Sequence, residues 1–348
     1  MPILDKNNKK MVKKYYNFLR NSPYADLHQD FGWGKVKSDN WIDEYVYIEE
    51  NDKITAGMLI LIRTFGKIFT MMYCPRGPVC DLNDIELVNK LINEAKPLIK
   101  EYKPFVLKMD PRVPYSEILK KKYSKEYRVT SEFKNIFELM QPIRSMILKI
   151  NGESEEEILK RYSQKTRYNI HLAERKGITV RYSRDEKDLQ TFYKLSQITA
   201  QRDGIALRTY DHFKSLLNSY DENTLRIYLA EYEGEALSAA ITLNFAGVTT
   251  YLYEASSNQK RNLMPNYIMQ QHMIRWAIET GCREYDFGGI FNTTIDNGLF
   301  KFKAGFCKQE GPTKFIGEID KIYNPIYYFI FTKLIPIVKD INIRFRKK

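Results

Sequence analysis

Apolar residues in the first part of the chain alternate with polar residues or form short continuous runs, which is typical of strands. The segment WIDEYVYI alternates, whereas ITAGMLILI reads as a buried strand. The pattern predicts, in chain order, strands at 41–48, 54–62 and 66–73, a helix over about 84–102, and a strand at 105–109. The last strand ends at Asp110, and Asp81, Asn83 and Asp84 are candidate caps of the helix.

The second half of the chain repeats this order of elements. Its pattern predicts a basic helix over about 154–175, a strand that begins at 178, a helix over about 185–200, strands at 225–232, 236–245 and 248–254, a helix over about 265–280, and a strand at 284–287. A hairpin, a loop, a helix and a strand that ends in Asp or Gly thus occur twice. This duplication predicts two α/β domains with mostly antiparallel sheets, by analogy the GNAT acyltransferase architecture.

The net charge narrows the choice of partner. The chain carries +12, with a pI of about 9.2. Residues 301–348 hold eleven Lys and Arg against four acidic residues, so this stretch supplies +7 of the total. A basic balance favours RNA, nucleotide phosphates or an anionic membrane face, whereas the plain alternative is lysine that serves only solubility.

The cysteines and the hydropathy pattern exclude several classes. Cysteines stand at 74, 80, 282 and 307 with no CxxC spacing, so neither a disulfide framework nor a metal site is indicated. The N-terminus is polar, and we expect a reduced cytoplasmic protein. No apolar run is long enough to cross a membrane. The aromatic stretch 327–338, followed by a basic end, predicts either a helix on an anionic membrane surface or a helix packed on the core.

Candidate chemistry concentrates in FKAGFC, residues 302–307. An aromatic residue beside a lysine suits a site that receives an activated acyl group carried on a polyanion. Taken alone, the segment favours an ordinary strand with alternating Phe and Lys over such a site. An acyl-CoA enzyme needs a glycine-rich loop whose N–H groups reach the pyrophosphate. The corresponding loops are PRGPV and SSNQKRNLMP, and the second has no glycine. We therefore expect a different acyl donor.

Eight segments in order carry a resemblance to a known family. They are QDFGWGKVKSDNW (29–41), YCPRGPVCD (73–81), KMDPRV (108–113), KTRYNIHLAERKGITV (165–180), RDGIALRTY (202–210), YLYEASS (251–257), YDFGGI (285–290) and GLFKFKAGFCKQEGPTKFIGEID (298–320). With them the chain resembles, over roughly residues 25–320, the Fem family of non-ribosomal aminoacyltransferases, which build the cross-bridges of peptidoglycan.

The resemblance implies a domain plan and a set of partners. It implies tandem GNAT-like domains at 1–147 (the precursor side) and 148–319 (the aminoacyl-tRNA end), then a basic aromatic helix at 320–348 that could complete the first domain. No helical-hairpin insertion interrupts the chain, as in the armless members. The implied partners are aminoacyl-tRNA as co-substrate and a peptidoglycan precursor, and the basic aromatic tail adds peripheral contact with the inner membrane face as a possible partner. No cofactor is implied, and we expect a monomer.

The resemblance also implies residues that bind the precursor. Lys37, expected in a loop, matches a lysine that binds precursor phosphate, although residue type alone would make it a surface lysine. Arg208 matches a second phosphate clamp, and Tyr210 follows it closely. Arg76 either faces the precursor or braces its turn. Arg202 could simply pair with Asp203.

Two further positions belong to the expected cleft. Asp110 matches an aspartate near the acceptor amine, where it could position the ammonium or accept its proton. The alternative is a carboxylate that caps a turn. Tyr251 and Tyr253 alternate on one strand, so that one lines the cleft and the other packs, or both pack.

The resemblance places the chemistry at Phe302 and Lys303. Aminolysis of a tRNA ester passes through an oxyanion that the Lys303 ammonium would stabilise, and Phe302 would stack on the terminal adenine. Glu318 is a candidate for holding Lys303 or substrate, or else an edge-strand charge. Family members often have glycine where Cys307 stands, which leaves the local turn geometry open.

The sequence thus predicts an enzyme that transfers an amino acid from aminoacyl-tRNA to an amine of a peptidoglycan stem peptide, carried by UDP-MurNAc-pentapeptide or lipid II. The first alternative is an acyl-CoA-dependent N-acyltransferase of the same fold. The second is a non-catalytic RNA-binding or membrane-docked scaffold.

Overall fold

A computed structural model describes residues 2–66, 68–133, 139–294 and 296–334. The chain folds into two compact units, which we call unit 1 (1–143 and 314–348) and unit 2 (144–313). The chain returns to unit 1 after Thr313 because the strand Glu318–Ile322 pairs with strands of that unit.

The strands have the following bounds. They are β1 (Ile42–Glu50), β2 (Lys53–Phe65), β3 (Phe69–Cys74), β4 (Val106–Met109), β5 (Arg128–Thr130), β6 (Arg144–Lys149), β7 (Thr179–Ser183), β8 (Leu225–Tyr232), β9 (Glu235–Phe245), β10 (Val248–Ser256), β11 (Glu284–Gly289), β12 (Pro312–Lys314) and β13 (Glu318–Ile322). Every strand predicted from the apolar pattern is present, with ends that shift by a few residues.

The helices have the following bounds. They are α1 (Lys9–Asn21), α2 (Phe31–Lys37), α3 (Ile85–Glu94), α4 (Lys96–Tyr102), α5 (Glu117–Tyr123), α6 (Glu155–Arg161), α7 (Gln164–Arg175), α8 (Glu186–Asp203), α9 (Tyr210–Ser219), α10 (Pro265–Glu279), α11 (Gly298–Phe306) and α12 (Pro325–Phe329), which continues as a π-helical turn over Ile330–Leu334.

Two predicted long helices are each split in two. The predicted helix over 84–102 breaks at Ala95, where α4 begins with Pro97 in its first turn, because proline has no N–H for the preceding turn. The predicted helix over 154–175 breaks at Tyr162, whose backbone is extended. Ser163 then caps α7 by accepting a hydrogen bond from the Thr166 N–H at 3.1 Å.

Unit 1 contains a six-stranded sheet in the order β1-β2-β3-β4-β13-β5. Most neighbours are antiparallel, but β3 and β4 are parallel, with Cys74 opposite Met109. Because α3 and α4 connect these two strands, both carboxyl ends meet at one edge of the sheet. The apolar face of the sheet packs against α3 and buries Val88 and Leu91.

Unit 2 contains a seven-stranded sheet in the order β12-β6-β11-β10-β9-β8-β7. Its parallel pair is β10 and β11, which pair over Val248–Thr250 and Glu284–Asp286. The long helix α10 connects these strands and buries Met273 and Trp276 in the core of this unit. The predicted mixed α/β fold with mostly antiparallel sheets is confirmed.

Three local expectations are wrong. The segment FKAGFC lies in helix α11 rather than in a strand, because Asn297 caps it by accepting from the Phe300 N–H at 2.8 Å. Lys37 is the last residue of helix α2, not a loop residue. The expected helix at 320–348 begins later, since Glu318–Ile322 is a strand, and its continuation over 335–348 lies outside the described residues. None of the helices in the described part is long and apolar enough to cross a membrane.

Candidate functional site

Asp110 follows β4 directly, at the carboxyl end of the parallel pair of unit 1. The side chain is 3% exposed. Tyr73 donates its hydroxyl to Asp110 Oδ2 at 2.7 Å, and the Arg76 N–H donates to Oδ1 at 2.5 Å. Burial raises the pKa of Asp110 to about 7, although Arg76 and the two hydrogen bonds oppose the rise. Unit 1 therefore holds a carboxyl group that exchanges its proton near neutral pH.

Arg76 supports the wall beside Asp110. Its backbone adopts φ +51°, which turns its N–H towards the carboxylate. Its guanidinium donates to Pro142 O at 3.0 Å and lies 5.3 Å from the centre of the Phe315 ring. Its side chain thus braces the turn in this structure, which is one of the two roles expected for it.

Around Lys108, on the strand that leads to Asp110, lies a buried group of charges that the sequence did not predict. Lys108 Nζ makes ion pairs with Glu318 and, at 2.9 Å, with Asp320. Tyr328 donates its hydroxyl to Asp320 at 2.6 Å. Burial lowers the pKa of Lys108, but the two carboxylates outweigh it and raise that pKa. A lysine inside the apolar run FVLKM is the one sequence signal for this group.

Glu318 lies in the interior of the sheet of unit 1 and not at its edge. It stands on β13, an interior strand between β4 and β5, so the edge-strand reading is wrong. Its carboxylate binds Lys108 and accepts from the Met140 N–H at 2.6 Å, which accounts for both oxygens without Lys303. Burial raises its pKa, against the effect of Lys108.

Lys37 lies on an aromatic platform. Its Nζ stands 4.4 Å from the centre of the Trp33 ring, and that ring contacts His28. His28 Nδ1 lies 2.6 Å from Asp26. Burial raises the pKa of Asp26, but His28 and Arg112 outweigh it and hold that pKa at about 2. A lysine ammonium held over indole in this way is a ready point charge for an anion.

Lys303 lies at the carboxyl end of the parallel strand pair of unit 2, as Asp110 does in unit 1. The side chain, on α11, is buried, and its Nζ donates to Gly289 O at 3.3 Å. This position lies just beyond the last parallel partners, Thr250 and Asp286. Burial lowers the pKa of Lys303, while Glu254 and Asp286 raise it in part. A cation in this place has few compensating contacts and gains from any new negative charge.

A cavity of about 580 Å³ in unit 2 is lined by Phe302, the neighbour of Lys303 in the chain, and by Glu254, whose charge acts on Lys303, although not by Lys303 itself. It lies between α8, β10 and the first turns of α10 and α11. Its lining includes Arg202, Tyr251, Glu254, Arg261, Tyr267 and Phe302. The Phe302 ring meets Tyr267 edge-on, with centres 4.9 Å apart. The cavity therefore combines aromatic faces with guanidinium groups, which suits a nucleotide.

The two tyrosines of β10 face different surroundings because the register shifts between them. Tyr251 is buried and lines the cavity. Tyr253 packs against Phe213 on α9, with ring centres 5.0 Å apart, and its hydroxyl lies 2.9 Å from His212 Nε2. Burial raises the pKa of Tyr253, and the nearby Arg208 opposes that rise.

Of the remaining expected residues, Arg202 and Arg208 are exposed, Tyr210 is half-buried and Cys307 is buried. Arg208 lies in the loop before α9, and Tyr210 begins that helix with its hydroxyl 3.4 Å from Glu186. Arg202 pairs with Asp203 at 2.8 Å, as the alternative for it supposed. Cys307 is a buried free thiol that ends α11, and its N–H donates to Lys303 O at 3.2 Å.

Comparison with known proteins supplies the family. The model of the FemAB family matches residues 11–236 and 231–334. The chain belongs to the FemAB family. A Weissella viridescens UDP-N-acetylmuramoylpentapeptide-lysine N(6)-alanyltransferase is 33% identical over 335 residues, which cover 94% of this chain and 98% of that protein. A Staphylococcus aureus lipid II:glycine glycyltransferase is 25% identical over 411 residues, covering 95% and 96% of the two chains.

Solved structures agree with this assignment. FemX superposes with a TM-score of 0.84 at 24% identity, covering 95% of this chain and all of that one. A tandem GNAT protein from the clavulanic acid pathway reaches a TM-score of 0.53 at 9% identity, covering 93% and 98%. The GNAT-like architecture expected from the duplicated pattern is therefore confirmed. The family match and the relatives named above make the chain an aminoacyltransferase of the FemAB family.

Proposed function

We propose that this protein transfers an amino acid from aminoacyl-tRNA to an amine on the stem peptide of a peptidoglycan precursor, and so builds the interpeptide bridge. The acceptor is proposed from the names of the relatives, which act on UDP-N-acetylmuramoylpentapeptide-lysine and on lipid II. The donor is proposed from the cavity of unit 2 and from the net charge of +12.

The proposal depends on the buried Lys303, whose chain neighbour Phe302 and electrostatic partner Glu254 line that cavity. When an amine attacks the ester carbonyl of the donor, the carbonyl oxygen gains a negative charge. The buried ammonium of Lys303 would balance this charge, and the charge in turn would relieve the burial of the lysine. The ester C–O bond then breaks, and the ribose oxygen leaves with the tRNA as a hydroxyl that has taken up the proton lost by the attacking nitrogen.

The same cavity offers contacts for the end of the donor. Phe302 and Tyr267 present ring surface on which a terminal base could stack, an interaction worth about 1–3 kcal/mol per base. Arg261 supplies positive charge at the rim. Because a tRNA ester is already activated, the reaction requires no cofactor and depends mainly on positioning of the amine.

Unit 1 supplies what an acceptor needs. Lys37 over Trp33 would bind precursor phosphate. In unit 2, considered by itself, we propose Arg208 and Tyr210 as contacts for an anionic substrate group. Asp110, with its pKa near 7, can take a proton from an ammonium group, which an amine must lose before it attacks. We propose action at the cytoplasmic face, where charged tRNA is present.

The test is a transfer assay with mixed charged tRNAs and with both nucleotide-linked and lipid-linked precursors, read by mass spectrometry. Lys303→Met should lower the transfer rate by about 10²–10³-fold while the fold is retained. Lys301→Met, two residues away on the same helix and exposed, is the matched control and should stay within about twofold of the unaltered enzyme. Transfer from acetyl-CoA alone would establish the acyl-CoA alternative. Unchanged function in Lys303→Met would favour the scaffold.

A further inference from the structure

The C-terminal segment Pro325–Leu334, which we call the docking segment, packs on unit 1 through one face. Tyr327 meets Phe69 with ring centres 4.9 Å apart, and Phe331 lies 5.1 Å from Phe105. Tyr328 points into the core, where its hydroxyl binds Asp320. Three contacts thus fix the orientation of the segment on the β2–β3 hairpin and at the beginning of β4.

The opposite face of the docking segment exposes apolar side chains. Ile326 is 70% exposed, Phe329 57% and Leu334 46%. Ile68, next to Phe69 at the tip of the β2–β3 hairpin, is 61% exposed. Large apolar side chains exposed in this way mark a surface that binds a membrane or another protein.

The charge of the adjoining sequence indicates which of these partners binds. Lys333 is exposed within the docking segment, and residues 335–348 add five Lys or Arg against one Asp. Exposed apolar residues that are followed in the sequence by an excess of basic residues match the interface of a bilayer that contains anionic lipid. A second protein chain would not need this excess of positive charge, and RNA would not need the apolar face.

We propose that the docking segment is a peripheral membrane anchor, with Ile326 and Phe329 inserted among lipid headgroups that include anionic ones. This inference rests on the proposed function in one respect, because it favours the lipid-linked acceptor over the soluble one. The anchor is also connected to the chemistry of unit 1. Tyr328 on its inner face binds Asp320, Asp320 binds Lys108, and Lys108 is two residues from Asp110.

The experiment is flotation of the full-length protein with vesicles of phosphatidylcholine, with and without phosphatidylglycerol. The double variant Ile326→Ser/Phe329→Ser should lose about tenfold or more of its binding to the anionic vesicles, because it removes the apolar contacts. Ile118→Ser is the matched control, since Ile118 is 83% exposed on α5 of the same unit, and it should bind as the unaltered protein does. Transfer to lipid-linked acceptor in these vesicles should fall in parallel with binding.

Several outcomes would overturn the proposal. Equal flotation of the double variant and the unaltered protein would do so, as would absence of flotation with any vesicle. Loss of tRNA binding in the double variant with vesicle binding unchanged would assign the surface to RNA. Dimers that dissociate in the double variant would assign it to a second copy. Transfer to the soluble, nucleotide-linked acceptor separates this inference from the proposed function, because the double variant should retain that activity.

Discussion

Replacement of Asp110 by Asn tests whether burial, rather than a fixed negative charge, governs the strand end of unit 1. Asn has nearly the shape of a protonated Asp, so its Oδ1 can accept from the Arg76 N–H while its Nδ2 donates to the Tyr73 hydroxyl, which reverses the direction of that second bond. The substitution thus keeps two hydrogen bonds and removes the ability to ionise. The unaltered and substituted proteins should therefore be similar in stability at low pH and differ as the pH rises.

The size of the difference follows from the pKa. Asp110 has an ordinary pKa of 3.8, which burial raises to about 7 in the folded chain. The folded state therefore binds the proton more tightly than the unfolded state. Its contribution is fully present below about pH 4 and is lost as the pH rises through about 7. At about 1.4 kcal/mol per unit, roughly 3 kcal/mol of stability disappears between about pH 5 and pH 8.5.

The assay is urea unfolding at a series of pH values for the unaltered protein and Asp110→Asn. The free energy of unfolding of the variant should exceed that of the unaltered protein by an amount that widens by about 3 kcal/mol from about pH 5 to pH 8.5. Asp52→Asn is the control in the same unit. Lys14 lowers the pKa of the exposed Asp52, so its ionisation changes only below this range and its curve should parallel that of the unaltered protein.

The same variant should lose transferase activity, because its side chain cannot take a proton from the acceptor ammonium. A gain in stability with a loss of rate is the pattern expected of a strained functional group. Parallel stability curves for Asp110→Asn and the unaltered protein would refute the reasoning, because they would show that Asp110 is ionised throughout. An activity profile with no rise through about pH 7 would refute the catalytic part alone.

Two substitutions test other parts of unit 1. Lys108→Met should cost about 3–5 kcal/mol in urea unfolding because it leaves Glu318 and Asp320 buried without a cation. The control Lys90→Met breaks an exposed ion pair and should cost less than about 1 kcal/mol. Equal costs would mean that the two buried carboxylates take up protons freely. Gly317→Ala should lower the free energy of unfolding by more than about 3 kcal/mol, because Gly317 has φ +93° and a Cβ would overlap Thr130 O. The control Gly66→Ala, with open space around it, should cost about 1 kcal/mol. A mild effect at Gly317 would show that β5 shifts to make room for the Cβ.

Much of the fold was predictable because each strand carries its own signal. The run ITAGMLILI is apolar at almost every position, and it forms the long central part of β2, which is buried over most of its length. The repeated order of elements predicted the two units, since a hairpin followed by a helix and a strand has few stable arrangements. These features depend on local pattern, which the sequence displays directly.

The position of the candidate residues depended on less visible features. Phe302 and Lys303 are neighbours in the chain, and alternation with Phe300 and Lys301 is as typical of a strand as of a helix over so few residues. The capping side chain of Asn297 decides the matter, and it stands before the segment. The ion pairs of Lys108 come from β13, more than two hundred residues away, and no local pattern indicates that pairing.

Burial of an ionisable group at the carboxyl end of a parallel strand pair is common to both units. In unit 1 the pair β3–β4 ends at Asp110, and in unit 2 the pair β10–β11 ends beside Lys303. In each case loss of water favours the neutral form, which raises the pKa of the carboxyl group and lowers that of the ammonium. The carboxyl group of Asp110, with a pKa of about 7, therefore exchanges a proton at little cost in free energy near neutral pH. The buried ammonium of Lys303 instead gains from any negative charge that develops beside it, so the same place in the topology suits a proton acceptor in unit 1 and a cation that stabilises an oxyanion in unit 2.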